Sequence, residues 1–183
     1  RQESGAIKAV DTPAGPIEGD AFVLSLGVHS PELVRPLGIR LPIYPVKGYS
    51  VTYPVKPGGD IPEKGGVDED NLLAYARMGE RLRLTSYAEF AGYDTRHQPQ
   101  DFKVIIEAAK SLLPDACDYS KPFYWAGLRP MTPEGFPIFG TGRHHNLYYN
   151  TGHGHMGWTM SCGSARITAD LIAGQKPDFD HTG

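Results

Sequence analysis

A glycine-rich segment near the end of the chain has the spacing of a ligand-binding turn. Residues 152–157 read Gly-His-Gly-His-Met-Gly, a G-x-G-x-x-G pattern between a predicted strand and a predicted helix. Such a turn lets the backbone approach a ligand closely and aims the first helical N–H groups at a negative or carbonyl-rich group. A dinucleotide-binding unit would need a further parallel strand after the helix, and Pro177 interrupts the segment that could supply one. The pattern therefore predicts a close-approach turn, for a ligand or for helix packing, rather than a pyrophosphate site.

One arginine lies in a rigid, turn-dense segment. Residues 127–137 read Gly-Leu-Arg-Pro-Met-Thr-Pro-Glu-Gly-Phe-Pro, and Pro130 biases the preceding Arg129 towards extended backbone. A guanidinium presented from a fixed backbone suits bidentate capture of a carboxylate. The alternative is an ordinary surface arginine in a loop.

Other catalytic constellations are weak in this sequence. Four histidines crowd the C-terminal region, but no carboxylate or cysteine stands at a ligating spacing near them, so we predict no metal site. No Ser/His/Asp or Cys/His arrangement has a supporting motif, and no paired carboxylates stand out. The two cysteines, Cys117 and Cys162, form no disulfide framework and favour a reducing compartment. The four histidines are His144, His145, His153 and His155.

Composition narrows the class of protein. The 183 residues include 22 Gly and 16 Pro, about a fifth of the chain against a usual ~12%, while 40% of residues are hydrophobic, which indicates a loop-rich globular protein with many short strands. The formal net charge of −3 argues against a nucleic-acid partner, because phosphate binding needs clustered positive charge. The longest apolar stretches, such as 21–28, are far shorter than the roughly 18 residues of a membrane span.

The elements that position the candidate residues are predicted from periodicity and turn chemistry. Alternation around residues 12–15 predicts a hairpin over 5–18, and alternation around Gly79-Glu80 predicts another over 72–86. Apolar spacing over 99–113 predicts an amphipathic helix. The remaining predicted elements are a buried strand at 21–26, a short helix from an N-capping Ser30 to Pro36, a strand at 43–53, an extended segment at 119–128, a strand at 146–150 and a helix at 158–173 closed by Gly174.

Two of these segments together carry a family resemblance. Gly127-Leu128-Arg129-Pro130 with its following Thr-Pro and Gly positions, and 146–159 (Asn-Leu-Tyr-Tyr-Asn-Thr-Gly-His-Gly-His-Met-Gly-Trp-Thr), resemble the C-terminal flavin-binding signature of FAD-dependent amine oxidoreductases of the D-amino acid oxidase superfamily. Residues 42–50 (Pro-Ile-Tyr-Pro-Val-Lys-Gly-Tyr-Ser) extend the similarity. It covers essentially the whole chain but only the C-terminal part of the family's length.

The resemblance implies a fold and a division into domains. The implied fold class is α/β with mixed α+β character: part of an FAD/NAD(P)-binding domain plus an antiparallel β-rich substrate domain. Residues 1–41 would be a remnant of the FAD-binding domain, 42–125 the substrate (cap) domain, and 126–183 the returning C-terminal segment of the FAD-binding domain.

It also implies roles for individual residues. Arg129 would bind the substrate carboxylate and so act in catalysis, with Tyr49 and Tyr53 as further substrate-binding residues. The glycine-rich turn and the start of its helix would lie against FAD, with backbone N–H groups near the edge of the flavin where negative charge develops on reduction. The implied cofactor-binding residues are Gly27, Lys47, Gly48, Gly154, His155, Met156, Gly157, Trp158 and Thr159.

The implied reaction is oxidative deamination of a D-amino acid. Hydride would pass from the substrate α-carbon to flavin, and the imino acid would hydrolyse to a 2-oxo acid and ammonia. The electrons would leave to a quinone or another acceptor, and we expect a cytoplasmic location or a peripheral one at the inner membrane. The expected partners are the D-amino acid, the electron acceptor and an N-terminal FAD-binding segment, with no nucleic acid.

Two alternatives remain open from the sequence. One is an amine oxidase acting on glycine or sarcosine. The other is a catalytically silent fragment, because the family's phosphate-binding G-x-G-x-x-G and ribose-binding acid have no counterpart before Arg1. On that ground we expect this chain by itself to retain FAD weakly or not at all.

Overall fold

The computed structural model describes residues 1–178, so the last five residues of the predicted segment 126–183 lie outside the described part. Residues 1–178 form strands, α-helices and three short 3-10 helices. The 3-10 helices are Gly27–His29, Arg35–Leu37 and Pro99–Phe102. In chain order the elements are β1 Gln2–Glu3, β2 Ala6–Ile7, β3 Ala9–Thr12, β4 Gly15–Glu18, β5 Phe22–Leu24, α1 Ser30–Val34, β6 Tyr44–Pro54, β7 Gly66–Asp68, β8 Leu73–Met78, β9 Arg81–Glu89, α2 Lys103–Leu112, β10 Phe123–Met131, β11 Ile138–Thr141, β12 Leu147–Thr151 and α3 Gly157–Ile172.

The chain divides into two compact units. The first contains Arg1–Tyr44 and the segment from Arg129 onward, and the second contains Pro45–Leu128. The division falls three residues later than the predicted boundaries at 41/42 and 125/126. The binding roles attached to these segments remain predictions.

A five-stranded sheet with the order β10-β6-β9-β8-β7 forms the second unit. The predicted hairpin around Gly79-Glu80 is confirmed: Met78 pairs with Arg81, and Gly79 has a φ of +62°, which a two-residue turn favours. β6 and β9 are antiparallel, with an irregularity between Gly48 and Ser50. The long β6 therefore lies inside the sheet, bordered by β9 and β10.

The core of this unit lies between one face of the sheet and α2. Tyr49, Val51 and Tyr53 alternate along β6 and are at most 3% exposed, as alternation in a strand requires. Phe102, at the end of the 3-10 turn, is completely buried in the same cluster. The predicted amphipathic helix is confirmed, with the first turn in 3-10 form. Its buried residues are Ile105 and Ala109.

A three-stranded sheet, β11-β12-β5, organises the first unit. β12 is antiparallel to β11 and parallel to β5, so Leu24 lies opposite Tyr149. α3 packs on β12. The predicted hairpin over 5–18 is confirmed for its second half, where β3 pairs with β4. The small core contains Ile7, Leu24, Val34, Leu147 and Tyr149.

Two predictions in this unit are wrong. The strand predicted at 21–26 is only Phe22–Leu24, and it is not buried on both faces, because Val23 is 46% exposed. Ser30 does not cap its helix: His29 holds the N-cap position and makes no side-chain cap. The Ser30 hydroxyl is instead buried, 2.8 Å from the Thr151 hydroxyl. A buried polar group needs such a partner, and this one connects α1 to the end of β12.

None of the helices within residues 1–178 is long and apolar enough to cross a lipid bilayer.

Candidate functional site

The glycine-rich turn joins the end of β12 to the start of α3. Gly152 and Gly154 have φ angles of +78° and +56°, in the left-handed region that favours glycine. A Cβ atom on Gly152 would lie 2.8 Å from the Thr132 side chain, and one on Gly154 would lie 3.0 Å from the Met131 sulfur. The Gly154 N–H donates to the carbonyl of Pro130 at 3.0 Å. The glycines thus let one side of the turn pack against the end of β10.

The other side of the turn faces outward. His155, Met156, Trp158 and Thr159 are exposed, and Trp158 is 94% exposed. Among residues 1–178 no acceptor is found for the backbone N–H groups of 157–159, as expected for the first turn of a helix. These amides at the start of a 16-residue helix favour an anionic or carbonyl group of a ligand.

Three segments that are distant in sequence converge at this turn. Gly27 follows β5 with a φ of +54°, and its Cβ position would lie 3.8 Å from the Pro130 ring. The Thr151 hydroxyl donates to the Gly27 carbonyl at 3.4 Å. The structure therefore brings Gly27, the Arg129-Pro130 pair and the glycine-rich turn into one region of the first unit, as the predicted site requires.

Arg129 lies in β10 directly before Pro130. Its side chain is half-buried, and burial lowers the pKa of the guanidinium from its ordinary value. Within residues 1–178 it forms no ion pair and no side-chain hydrogen bond. A half-buried charge without a partner is costly, and a bidentate carboxylate would compensate it best. The geometry suits a carboxylate-binding residue better than an ordinary surface arginine.

His153 has a role that sequence analysis did not predict. Its Nε2 lies 2.9 Å from the Ser164 hydroxyl in α3, and its ring meets Phe139 edge to face with centroids 5.8 Å apart. The His153 carbonyl accepts a hydrogen bond from the Met156 N–H. His153 thus fixes the turn to the second turn of α3 and to β11. The spacing of His153 and His155 in the sequence did not indicate the contact with Ser164.

Burial lowers the pKa of His153 below its ordinary value of 6.5, which predicts a pH-dependent stability. In the unfolded chain the imidazole takes up its proton as the pH falls through about 6.5, whereas in the folded chain it does so only at lower pH. We therefore expect the free energy of unfolding to fall as the pH decreases below about 6.5. Urea unfolding at several pH values should show a shallower decline for His153→Gln. The exposed His145→Gln is the control, and an equal change in both variants would contradict the prediction.

The predicted cofactor-binding residue Lys47 lies in the second unit. Its ammonium donates to the Arg96 carbonyl at 2.5 Å, is 3.5 Å from the Glu89 carboxylate and lies 4.9 Å from the centre of the Tyr49 ring. The Tyr49 hydroxyl is the main cause that raises the pKa of Lys47. Tyr49 in turn donates to Glu89, and burial raises its pKa. The ammonium of Lys47 is therefore already bound inside its own unit.

Glu89 was missed by sequence analysis. It stands directly opposite Lys47 in the register of β6 and β9, so cross-strand pairing of opposite charges was the available signal. Using that signal requires the register of β6 and β9. The irregularity between Gly48 and Ser50 shifts this register, so the sequence alone did not identify Glu89 as the residue opposite Lys47. Gly48, the other predicted cofactor-binding residue of this segment, pairs with Ala88 beside the irregularity.

Tyr53 occupies the core of the second unit. It is 1% exposed, its ring contacts that of Tyr119 with centroids 5.0 Å apart, and burial raises its pKa. Its hydroxyl has no hydrogen-bond partner in the described structure. This location favours a packing role over the substrate contact that the resemblance implied.

No group of three metal-ligating side chains is found among the described residues. Of the four C-terminal histidines, His153 is bound to Ser164, His144 is buried, and His145 and His155 are exposed.

A strand, a glycine-rich turn and the start of a long helix can hold an anionic or carbonyl-rich ligand, and the half-buried arginine beside them can hold a carboxylate. The chain belongs to the family of FAD-dependent oxidoreductases, whose model matches residues 1–171. It is 52% identical over 177 residues to D-amino acid dehydrogenase 2 of Mesorhizobium japonicum, covering 97% of this chain and 42% of that protein. It is 48% identical over 178 residues to a D-amino acid dehydrogenase of Agrobacterium fabrum, covering 97% and 43%. The chain thus spans about two fifths of the length of these relatives.

Solved structures show the same fold. Glycine oxidase of Geobacillus kaustophilus superposes with a TM-score of 0.82 at 25% identity, covering 94% of this chain and 46% of that one. L-proline dehydrogenase of P. horikoshii superposes with a TM-score of 0.82 at 20% identity, covering 95% and 48%. The predicted α/β class, an incomplete FAD-binding fold with antiparallel sheets, is confirmed.

The turn fits the flavin of FAD. A Cβ atom at Gly154 would displace the turn from Met131, and the free amides of 157–159 suit the carbonyl edge of a flavin. In the first unit, the residues that would hold FAD are therefore Gly27 and the segment 154–159. Contact between Lys47 and FAD remains a prediction. The Lys47 ammonium already binds the Arg96 carbonyl and lies near the Glu89 carboxylate.

Replacing Gly154 should weaken FAD binding. Alanine would have to adopt a positive φ, at a cost of about 1–2 kcal/mol, and its Cβ would press on Met131. In a chimera that joins this chain to the rest of its Mesorhizobium relative, we expect Gly154→Ala to lower the affinity for FAD by about tenfold or more, because the turn must shift. Quenching of FAD fluorescence measures this. The matched control is Gly5→Ala, with a φ of +81° and no neighbour near its Cβ position, which should leave FAD affinity unchanged. Equal affinity in all three proteins would contradict the assignment.

Proposed function

We propose that this chain is the substrate- and flavin-contacting part of a dehydrogenase that oxidises D-amino acids to 2-oxo acids and ammonia. The observation that carries the proposal is Arg129, a half-buried guanidinium without an acidic partner in residues 1–178. It immediately precedes the proline that anchors the glycine-rich turn. The relatives at 48–52% identity, which are named D-amino acid dehydrogenases, support the same substrate class.

Arg129 would bind the α-carboxylate and so fix the orientation of the α-hydrogen. Its position before Pro130 restricts the backbone, so the carboxylate is held in one geometry, and such positioning lowers the barrier to a bimolecular step. FAD, when bound, supplies the two-electron acceptor. The free amides at the start of α3 stabilise negative charge that develops next to them. Among the described site residues of the first unit, none is a carboxylate placed to act as a base, which suits a substrate that reacts as the neutral amine.

The remainder of the FAD site is proposed to come from outside the matched region. The relatives contain more than half of their length beyond what this chain matches, and this supports a separate segment that binds the pyrophosphate and adenine. We propose a quinone-type electron acceptor, and a location in the cytoplasm or at the inner membrane surface. The two free cysteines, one buried and one exposed, support a reducing compartment.

A substrate panel tests the proposal. We would replace the matching region of the Mesorhizobium relative with this chain and assay the chimera with D-alanine, L-alanine, glycine and sarcosine. The proposal predicts formation of a 2-oxo acid and ammonia from D-alanine with the highest kcat/KM. A preference for glycine or sarcosine would instead support an amine oxidase of the kind indicated by the glycine oxidase structure. A chimera that binds FAD but oxidises none of the four would support a silent module.

A further inference from the structure

One end of the five-stranded sheet is exposed on the face that points away from α2. On β6 and β9 the core positions Tyr53 and Leu82 are at most 1% exposed, so the residues that alternate with them point to the opposite face. On that face, two rows of paired residues from β6, β9 and β8 form the end of the sheet. The first row is Pro54, Arg81 and Met78, and the second is Thr52, Arg83 and Ala76.

Two aromatic residues of β10 border these rows. β10 is the neighbour of β6 in the sheet, and the guanidinium carbon of Arg83 lies 5.2 Å from the centre of the Trp125 ring. Gly127 leaves room for this ring, because a Cβ atom at Gly127 would lie 2.1 Å from its far edge. Phe123 stands two residues before Trp125 and points to the same face. The exposed fractions are 67% for Phe123, 47% for Trp125 and 50% for Met78, so three large apolar side chains lie open at this end.

The charge at this end of the sheet is positive. Within residues 1–178 neither Arg81 nor Arg83 forms an ion pair, and the two rows contain no acidic residue. Residues 77–83 contain three arginines and one glutamate, a net charge of +2, in a chain whose net charge is −3. We call Met78, Arg81, Arg83, Phe123 and Trp125 the sheet-end patch. Its apolar side chains and its unpaired cations share one exposed surface.

A surface of anionic lipid matches both properties of the sheet-end patch. Tryptophan and phenylalanine side chains insert at the boundary between lipid headgroups and acyl chains, and basic residues near that boundary are attracted by the negative potential of the headgroups. An arginine also binds a phosphate through two parallel hydrogen bonds. An acidic protein would match the arginines as well. The proposed acceptor favours lipid, because an enzyme that reduces a quinone dissolved in a bilayer must reach the surface of that bilayer.

We propose that the sheet-end patch docks this protein on the surface of a membrane that contains anionic lipids. Phe123, Trp125 and Met78 insert among the headgroups. Arg81 and Arg83 bind lipid phosphates, and the Trp125 ring orients the guanidinium of Arg83 while leaving its N–H groups able to donate. The proposal rests on the proposed function for the quinone-type acceptor, and all five residues that carry it belong to the second unit.

Vesicle binding by the FAD-loaded chimera tests the proposal. Vesicles of phosphatidylcholine alone are compared with vesicles of two parts phosphatidylcholine to one part phosphatidylglycerol, and the bound fraction is measured by sedimentation. We expect binding to the anionic vesicles that weakens at high salt. Phe123→Ser and Arg81→Gln should each lower the partition coefficient about fivefold or more, because each removes one apolar or one charged contact with the lipid.

The matched controls are an exposed phenylalanine and an exposed arginine outside the sheet-end patch. Phe90 is 79% exposed and follows Glu89 at the other end of β9, and Arg40 lies in the first unit. Phe90→Ser and Arg40→Gln should bind the anionic vesicles like the unsubstituted chimera. The FAD content of all four variants, measured by absorbance, shows whether each protein is folded.

The outcomes separate the docking surface from the proposed reaction. Equal binding to the two kinds of vesicle, or binding that survives both patch substitutions, would overturn the proposal. Binding to neither kind would also overturn it and would favour an acidic protein as the occupant of the patch. A chimera that oxidises D-alanine with a soluble dye but binds no vesicles would keep the proposed function and refute the docking surface. Patch-dependent binding by a chimera that oxidises no D-amino acid would keep the docking surface and refute the reaction.

Discussion

Replacing Arg129 by alanine is expected to lower kcat/KM for D-amino acids by about 10²- to 10³-fold in the chimera that joins this chain to the rest of its Mesorhizobium relative. The reason is that the half-buried guanidinium of Arg129 has no acidic partner among the described residues, so the substrate carboxylate would be its partner. Removal of one member of a desolvated ion pair costs about 3–5 kcal/mol, because the other charge is left buried and uncompensated. Most of the loss should fall on KM if Arg129 binds the ground state and transition state alike.

Two matched variants make the Arg129 result interpretable. Arg129→Lys keeps the charge but loses the bidentate fork, so we expect activity between those of the alanine variant and the unsubstituted protein. Arg40→Ala removes an exposed arginine from the same unit and should leave kcat/KM unchanged. Near-normal kinetics for Arg129→Ala, with FAD bound normally, would show that the carboxylate is held elsewhere.

Replacing Phe102 by alanine is expected to destabilise the second unit by about 3–5 kcal/mol. Phe102 is completely buried where the 3-10 turn meets α2, and its ring contacts those of Tyr49 and Tyr124 with centroids 5.5 and 4.5 Å apart. The truncation leaves a cavity between α2 and the sheet that small shifts of the neighbouring rings cannot fill. Urea unfolding monitored by circular dichroism measures the change.

Val104→Ala is the control for Phe102, because Val104 lies two residues further along but is 61% exposed. We expect it to change stability by less than about 0.5 kcal/mol. Similar destabilisation by the two variants would contradict a packing role particular to Phe102, because alanine has a higher helix propensity than valine and its substitution at the exposed site should not destabilise the helix.

Much of the fold could be predicted because local patterns and tertiary packing agree. The helix over 99–113 and the hairpin around Gly79-Glu80 are determined by apolar spacing and turn residues that no distant contact overrides. Ser30 shows the opposite case. Its sequence context is typical of a helix cap, but a buried hydroxyl contact with Thr151, 121 residues away, determines its place instead. The exposure of Val23 could not be predicted, because a continuous apolar run does not show whether another element covers each face of the strand.

In the candidate site, the conformation of the backbone could be predicted from motifs, whereas the contacts of individual side chains often could not. The glycines at 152 and 154 form the close-approach turn that their spacing indicated, and the structure shows that they have positive φ angles and make room for Thr132 and Met131. Lys47 and Tyr53 were assigned to ligands by resemblance, but the first is bound to Glu89 and Arg96 and the second is buried in the core. The contacts of Glu89 and His153 depend on the strand register and on the packing of α3, which a single sequence does not show.

The central claim is that this chain binds a D-amino acid so that it reduces a flavin. The rate of flavin reduction in a single turnover tests it. The FAD-loaded chimera is mixed anaerobically with D-alanine or L-alanine, and the loss of the oxidised flavin's visible absorbance is followed by stopped flow. We expect rapid bleaching by the D-enantiomer, slower or no bleaching by the L-enantiomer, and a rate with D-alanine that falls when Arg129 is alanine. Bleaching at equal rates by both enantiomers, or none by D-alanine in a protein that holds its FAD, would contradict the proposed function.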